Sequence, residues 1–148
     1  EKLAKRIEQQ AISRAENNIK EVVDQCIGNI VDNVNDLADK LANYDPKDKQ
    51  KGFWNKSSFD KLETYPEQLE VWNRDVLGNS ELVDDSRQKL VTLNARINGL
   101  NGGIDSLKDD DDIAEKQRKD ISKEMKESVE SISVDDLLGQ IYGGGKND

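Results

Sequence analysis

The feature that most constrains this chain is a helical pattern that runs through its N-terminal quarter. Apolar residues recur there at spacings of three and four, and the stretch contains no proline and one glycine. Such spacing places them on one face of a helix. The pattern predicts a single helix about 60 Å long if it is unbroken. Its apolar positions are Leu3, Ile7, Ala11, Ala15, Ile19, Val22, Cys26, Ile30, Val34, Leu37 and Leu41.

The two halves of this predicted helix differ in the width of their apolar face. Before Ile19 the stripe is narrow and padded with alanine, which is typical of a two-stranded coiled coil. From Val22 to Val34 the face is wider, as a helix needs inside a bundle. We therefore expect residues 1–20 to project as a coiled-coil segment. The alternative is a longer coiled coil that is cut off at Glu1.

Two prolines punctuate the next part of the chain. Pro46 biases the residue before it away from helical geometry, so we expect the first helix to end near Tyr44. A second helix is predicted to begin at Ser57, which has an acid three residues later, or at Asn55. Pro66 lies inside the apolar stripe of this helix and predicts that the helix is restarted or kinked there.

Glycines mark both ends of the predicted third helix. The link at 78–80 is short, so the second and third helices should be antiparallel, with Gly78 as a left-handed cap. The apolar phase continues from Val83 to Leu107, which favours a helix through Gly102 and Gly103. A break near Asn101 is the alternative, because two glycines cost about 2 kcal/mol relative to alanines.

Four consecutive aspartates, Asp109 to Asp112, raise the question of a metal site. Asp112 and Glu115 form a capping-box pattern that predicts the start of a fourth helix, and the preceding acids would lie near its positive end. A calcium loop needs alternating ligands and a glycine at its sixth position, which this stretch lacks. We therefore expect a helix cap with solvated acids and no metal.

These segments together predict an all-α fold. Ser133 repeats the start signal, and a last short helix would carry Leu137, Leu138 and Ile141. Residues 143–148 are expected to form a flexible tail. We predict a single domain over 1–148, an elongated antiparallel bundle of four to five helices with a long first helix and coiled-coil-like packing.

Composition and missing motifs argue against several classes of function. The net charge of −9 disfavours nucleic acids and anionic membranes as partners. There is no apolar run of the length needed for a membrane span. The chain has no histidine and no nucleotide-binding or hydrolase motif, so we expect neither catalysis nor a cofactor nor a small-molecule substrate. A soluble chain is expected, cytoplasmic or exported with any targeting segment removed.

The remaining candidates are residues for binding another protein. Cys26 and Trp72 are in phase with their helices and are predicted core residues. Phe53 and Trp54 lie in a polar linker, where they either fold back as a lid or anchor a partner. A narrow stripe does not stabilise an isolated helix. The predicted partner surface therefore comprises Leu3, Ile7, Ile19, Phe53 and Trp54.

We thus expect a non-enzymatic module for protein–protein interaction or structural assembly, which associates with itself or with another protein through the first helix. Its setting could be a secreted, surface or phage apparatus or a cytoplasmic scaffold. The alternative is an acidic inhibitor or immunity-type protein that blocks a basic site. We rank it second because lysines and arginines are interspersed among the acids along most of the chain.

Overall fold

The structure, a computed structural model, describes residues 18–48, 54–132 and 134–142. Over these residues the chain is helical and contains no β-strand, which confirms the all-α prediction. Four helices, α1 to α4, pack against one another. The α-helices are α1 (Gly28–Ala42), α2 (Lys56–Trp72), α3 (Glu81–Asn98), α4 (Asp112–Val129) and α5 (Val134–Tyr142). π-helical turns span Val22–Ile27 and Asn73–Leu77, and 3-10 turns span Ile104–Lys108 and Glu130–Ile132.

Helices α1 and α4 run in opposite directions. Near the middle of the pair, Ser122 Oγ donates a hydrogen bond to the Ala38 carbonyl at 2.6 Å. The Tyr44 ring follows the end of α1 and lies 5.3 Å from the guanidinium carbon of Arg118, which is an earlier residue of α4 than Ser122. Positions further along the chain from α1 thus meet earlier positions of α4. The core that these helices enclose is made of large aliphatic side chains: Ile27, Leu41, Leu62, Leu69, Leu90, Leu107, Ile121, Met125, Ile132 and Leu137.

A π-helical turn precedes α1. Its geometry is marked by the Gly28 N–H, which donates to the Val23 carbonyl five residues earlier. Val23 and Ile27 are fully buried there, whereas Cys26 is only half-buried. The prediction that Cys26 is a core residue therefore overstated its burial. The wider turn directs Val23 and Ile27 into the core and leaves the thiol at the flank of the buried face.

Helix α2 runs through Pro66 without a break, so the restart that the sequence suggested does not occur. Proline has no N–H to donate to the carbonyl four residues earlier. That carbonyl belongs to Leu62, and it accepts a hydrogen bond from Asn94 Nδ2 of α3 at 3.1 Å. The neighbouring helix thus replaces the donor that proline removes. The N-cap of α2 is Asn55, whose Oδ1 accepts from the Ser58 N–H, so the second of the two predicted starts is confirmed.

The turn between α2 and α3 matches its prediction. Gly78 is left-handed with φ of 71°, and Asn79 follows with φ of 63°. The buried Asn73 side chain closes the turn, because its Nδ2 donates to the Ser80 carbonyl and its Oδ1 accepts from the Ser80 N–H. Asn94 of late α3 contacts Leu62 of early α2, so the two helices are antiparallel as predicted.

The third helix ends earlier than the apolar phase suggested. It stops at Asn98, and Gly102 and Gly103 have φ of 89° and 71°, which exclude a continuous helix. Leu107, the last apolar position of the pattern, is nevertheless fully buried, and it lies in the 3-10 turn that follows the helix. Buried Arg118 fixes that turn by donating from Nη1 to the carbonyls of Leu107 and Asp109 at 2.7 and 3.1 Å.

The aspartate run caps α4, one residue before the predicted position. Asp111 Oδ1 accepts from the Ala114 N–H at 2.7 Å, and Asp112 is the first residue of the helix. The buried face then passes through Ala114 and Ile121. The neighbouring Ile113 is 72% exposed although it is apolar, because adjacent residues lie about 100° apart around a helix.

Alanine substitutions should distinguish the contributions of Asp111 and Asp112 to the stability of the protein. We expect Asp111→Ala to lower the free energy of unfolding by about 1 kcal/mol, since an N–H of the first turn loses its acceptor. Asp112→Ala removes only a favourable charge near the helix dipole, worth about 0.3–1 kcal/mol. Urea denaturation of both variants measures the difference. A larger loss for Asp112→Ala would contradict the observed cap.

Candidate functional site

The residues predicted to bind a partner occupy different positions. Leu3, Ile7 and Phe53 lie outside the described residues, so their prediction stays untested. Ile19 is half-buried and packs against the core of its own chain. Trp54 is 2% exposed. The structure therefore does not bring these residues together into one described surface.

Trp54 packs within an aromatic cluster near the end of α1. Its ring meets Phe59 edge-on with centroids 4.9 Å apart, and it lies 6.1 Å from Tyr44. Lys108 Nζ lies 4.6 Å from the centroid of the indole ring. In this conformation the ring is covered by its own chain, the position that the lid interpretation assigned to it. Its Nε1 is buried without a hydrogen-bond partner.

Trp72 is half-buried rather than enclosed between α2 and α3, so its predicted burial was overstated. It packs on the edge of the core and, with Val71, lines a shallow depression on the outside of α2. Val71 is 38% exposed. Glu67 and Gln68 border the same depression. This part of α2 therefore presents apolar side chains to the exterior.

A groove of about 490 Å³ lies on the other side of Glu67, between α2 and α3. Its apolar lining includes Pro66 from α2 and Val91 and Ala95 from α3. Val91 is 46% exposed. Asn94 also lines the groove, and its side-chain amide is held by the Leu62 carbonyl. The α3 wall of this α2–α3 groove is therefore held in place by the same hydrogen bond that accommodates Pro66.

Three glutamates form a row along α2 between the groove and the depression. Glu63, Glu67 and Glu70 all line the α2–α3 groove and are exposed. In the part of the chain that the structure describes, no lysine or arginine nitrogen lies within ion-pair distance of their carboxylates. We call these three residues the acidic row.

Each of the other long helices pairs at least one of its acids with a base. Each of these helices contains an ion pair between residues one turn apart, with nitrogen–oxygen distances of 3.0 to 3.2 Å. The pairs are Asp36–Lys40 in α1, Asp85–Lys89 in α3 and Glu115–Lys119 in α4. The acidic row differs from these helices in that none of its three acids forms an ion pair within the described chain.

The two arginines closest to the acidic row are engaged by other acids. Arg87 lines the groove but pairs with Asp84 at 2.9 Å. Arg74 follows the row and pairs with Asp75 at 3.0 Å. This hydrogen bond raises the pKa of Arg74 and lowers the pKa of Asp75. Neither arginine forms an ion pair with a carboxylate of the row, although the negative charge of Glu70 also contributes to the raised pKa of Arg74.

The acidic row was not predicted, although the sequence contains its signal. Between Lys61 and Arg74 there is no lysine or arginine, and the acids in that interval are spaced by four and three residues. This spacing aligns them on one helix face. This face of α2 is thus an exception to the interspersion of bases among the acids that holds along most of the chain.

An acidic, partly apolar groove can bind a cationic surface by ion pairing and burial of small apolar side chains. Over residues 18–48, 54–132 and 134–142, no group of three or more acids or cysteines is arranged to hold a metal ion. Among the described helices, none is long and apolar enough to cross a membrane. No family model, curated protein or solved structure matches this chain.

Proposed function

We propose that this chain is a non-enzymatic module for protein–protein interaction or structural assembly. The observation that carries the proposal is the exterior of α2 and α3, where exposed Val71 and Val91 flank the acidic row. Exposed apolar side chains with a polar or charged rim mark protein–protein interaction sites when they form a contiguous patch. A catalytic role has less support, because the groove holds no histidine, cysteine or lysine.

We also propose a particular architecture for the module. The four packed helices form an elongated antiparallel bundle with coiled-coil-like packing, in which a long first helix offers a second surface for association. The opposed contacts of α1 with α4 and of α2 with α3 support this arrangement. Half-buried Ile19 then lies where the first helix leaves the core.

A second candidate function is an acidic antagonist that blocks a basic site on a target. The acidic row favours it, because three unpaired carboxylates on one helix face are the arrangement that such a protein requires. The two candidates differ in their response to salt. Binding that depends mainly on the row should weaken steeply as ionic strength rises.

The proposed function is tested by capturing partners and then removing the exposed apolar side chains. We expect the full chain, used as bait in an extract of its source, to retain a protein that binds the purified chain directly. Val71→Ser with Val91→Ser should weaken that binding about 30-fold, since each valine contributes about 1 kcal/mol of burial. Calorimetry on the purified pair measures the change.

The matched control for this experiment is Ile113→Ser, which removes a large apolar side chain that lies outside the groove and is 72% exposed. It should leave the affinity unchanged. The proposal fails if no protein binds the purified chain directly and sedimentation shows no association of the chain with itself. If Ile113→Ser has the same effect as the double substitution, the α2–α3 exterior is not the surface used.

A further inference from the structure

The groove and the acidic row together have the dimensions and chemistry of a site for one helix. The row runs from Glu63 to Glu70, about 10 Å along the axis of α2. The groove lies between two antiparallel helices, with the acidic row on the α2 side and Val91 and Ala95 among the residues of the α3 side. Asn94, Asn98 and Arg87 also line the α3 side, and Arg87 is paired with Asp84. The small Ala95 side chain allows another backbone to come close.

The negative charge of the acidic row determines which kind of partner can bind in the groove. Nucleic acids and anionic lipids carry phosphates, which the acidic row repels. A second copy of this chain brings a net charge of −9 and is also repelled as a whole. A helix with lysines or arginines every three or four residues would place a base opposite each glutamate. An adjoining stripe of apolar residues on that helix would meet Val91.

We propose that the α2–α3 groove binds a cationic amphipathic helix of another protein. This inference rests on the proposed protein-binding function and names the chemistry of the partner. The three carboxylates need no rearrangement to accept the bases, because no ion pair within the described chain has to be broken first. The Asn94 contact with α2 keeps the apolar wall in place.

The probe is a synthetic helical peptide in which lysines recur every three or four residues beside a stripe of leucines. We expect it to bind the full chain, with affinity that falls between low salt and about 0.5 M NaCl. Reversal of the row by Glu63→Lys, Glu67→Lys and Glu70→Lys should weaken binding roughly 30-fold or more. The same peptide with glutamate in place of lysine should not bind.

A control of equal net charge separates this groove from general attraction to an acidic protein. Asp24→Lys, Asp32→Lys and Glu130→Lys change exposed acids elsewhere. Each replacement adds two charges, so both triple variants change from −9 to −3. We expect the control to bind the peptide within about 3-fold of the unmodified chain, through loss of long-range attraction only. Equal weakening in both variants would overturn the proposal.

The reversed residues are exposed, so circular dichroism and thermal melting should show an unchanged fold. If the reversed chain does not fold, glutamine at the same three positions serves instead, and unchanged peptide affinity would then overturn the proposal. Retained binding of a captured natural partner by the reversed chain would refute the cationic helix but leave the proposed function intact. Self-association that the reversal abolishes would identify the occupant as a second copy and also refute the proposal.

Discussion

Trp54→Ala is expected to lower the free energy of unfolding by about 3–5 kcal/mol, the largest effect of any substitution considered. The ring is 2% exposed and is enclosed by Tyr44, Phe59 and Lys108. Its removal opens a cavity and exposes neighbouring rings to water. Urea denaturation monitored by circular dichroism measures the loss without relying on the fluorescence of the ring being removed.

Trp72→Ala is the matched comparison, because Trp72 is only half-buried at the edge of the core. It should cost less, about 1–2 kcal/mol, in proportion to the smaller apolar area lost from the protein interior. Single-tryptophan chains give a second measurement. Trp54 in Trp72→Phe should emit at shorter wavelength than Trp72 in Trp54→Phe. Equal costs and equal emission would contradict the burial described for the two rings.

Trp54→Phe measures the energetic cost of burying the indole N–H, which has no hydrogen-bond partner. Phenylalanine retains an aromatic contact with Phe59 and removes the buried Nε1 that has no hydrogen-bond partner. Burying such a group without a partner costs about 1–3 kcal/mol in proteins. This saving should offset part of the lost burial, so the loss for Trp54→Phe should be clearly smaller than that for Trp54→Ala.

The parts of the fold that the sequence predicted well depend on local chemistry. Gly78 specifies a left-handed turn because a glycine carries no Cβ, and Asn55 caps α2 with its own side chain. Apolar spacing likewise predicted the buried faces of α1 and α3. Each of these features depends on residues within a few positions along the chain, so a single sequence carries the necessary information.

The parts that the sequence did not predict depend on contacts between distant residues. Helix α2 continues through Pro66 because Asn94 lies beside it, and these residues are far apart in sequence. The end of α3 was ambiguous because the apolar phase survives the glycines, although Leu107 reaches the core from a 3-10 turn. The position of the cap, Asp111 rather than Asp112, falls within the uncertainty of any helix boundary.

The candidate site was missed for a related reason. The acidic row is visible in the sequence, but it gains meaning only when Val91 of α3 is placed beside it and when nearby Arg87 is seen to pair with Asp84. The residues favoured by the sequence were apolar ones without a helical partner, of which Trp54 proved to be buried. Aromatic residues outside the helical stripes do not mark a surface that is made of charges and valines.

The contact between Pro66 and Asn94 should show strong energetic coupling. We expect Asn94→Ala to lower the free energy of unfolding by about 1–3 kcal/mol, because the carbonyl of buried Leu62 loses its donor. In a Pro66→Ala background the residue at 66 again has an N–H that can donate to that carbonyl. In that background Asn94→Ala should hardly change the free energy of unfolding. Alanine also has a higher helix propensity than asparagine, which offsets part of any remaining loss at position 94.

A double-mutant cycle over Pro66→Ala, Asn94→Ala and the combined variant measures this coupling by urea denaturation. The direct effect of replacing Pro66 cancels in the cycle, so its loss of ring packing does not affect the result. We expect a coupling energy of about 1 kcal/mol or more. If Asn94→Ala has the same cost in both backgrounds, the Asn94 amide is not replacing the missing donor. The continuity of α2 through Pro66, and with it the fixed wall of the α2–α3 groove, would then need another explanation.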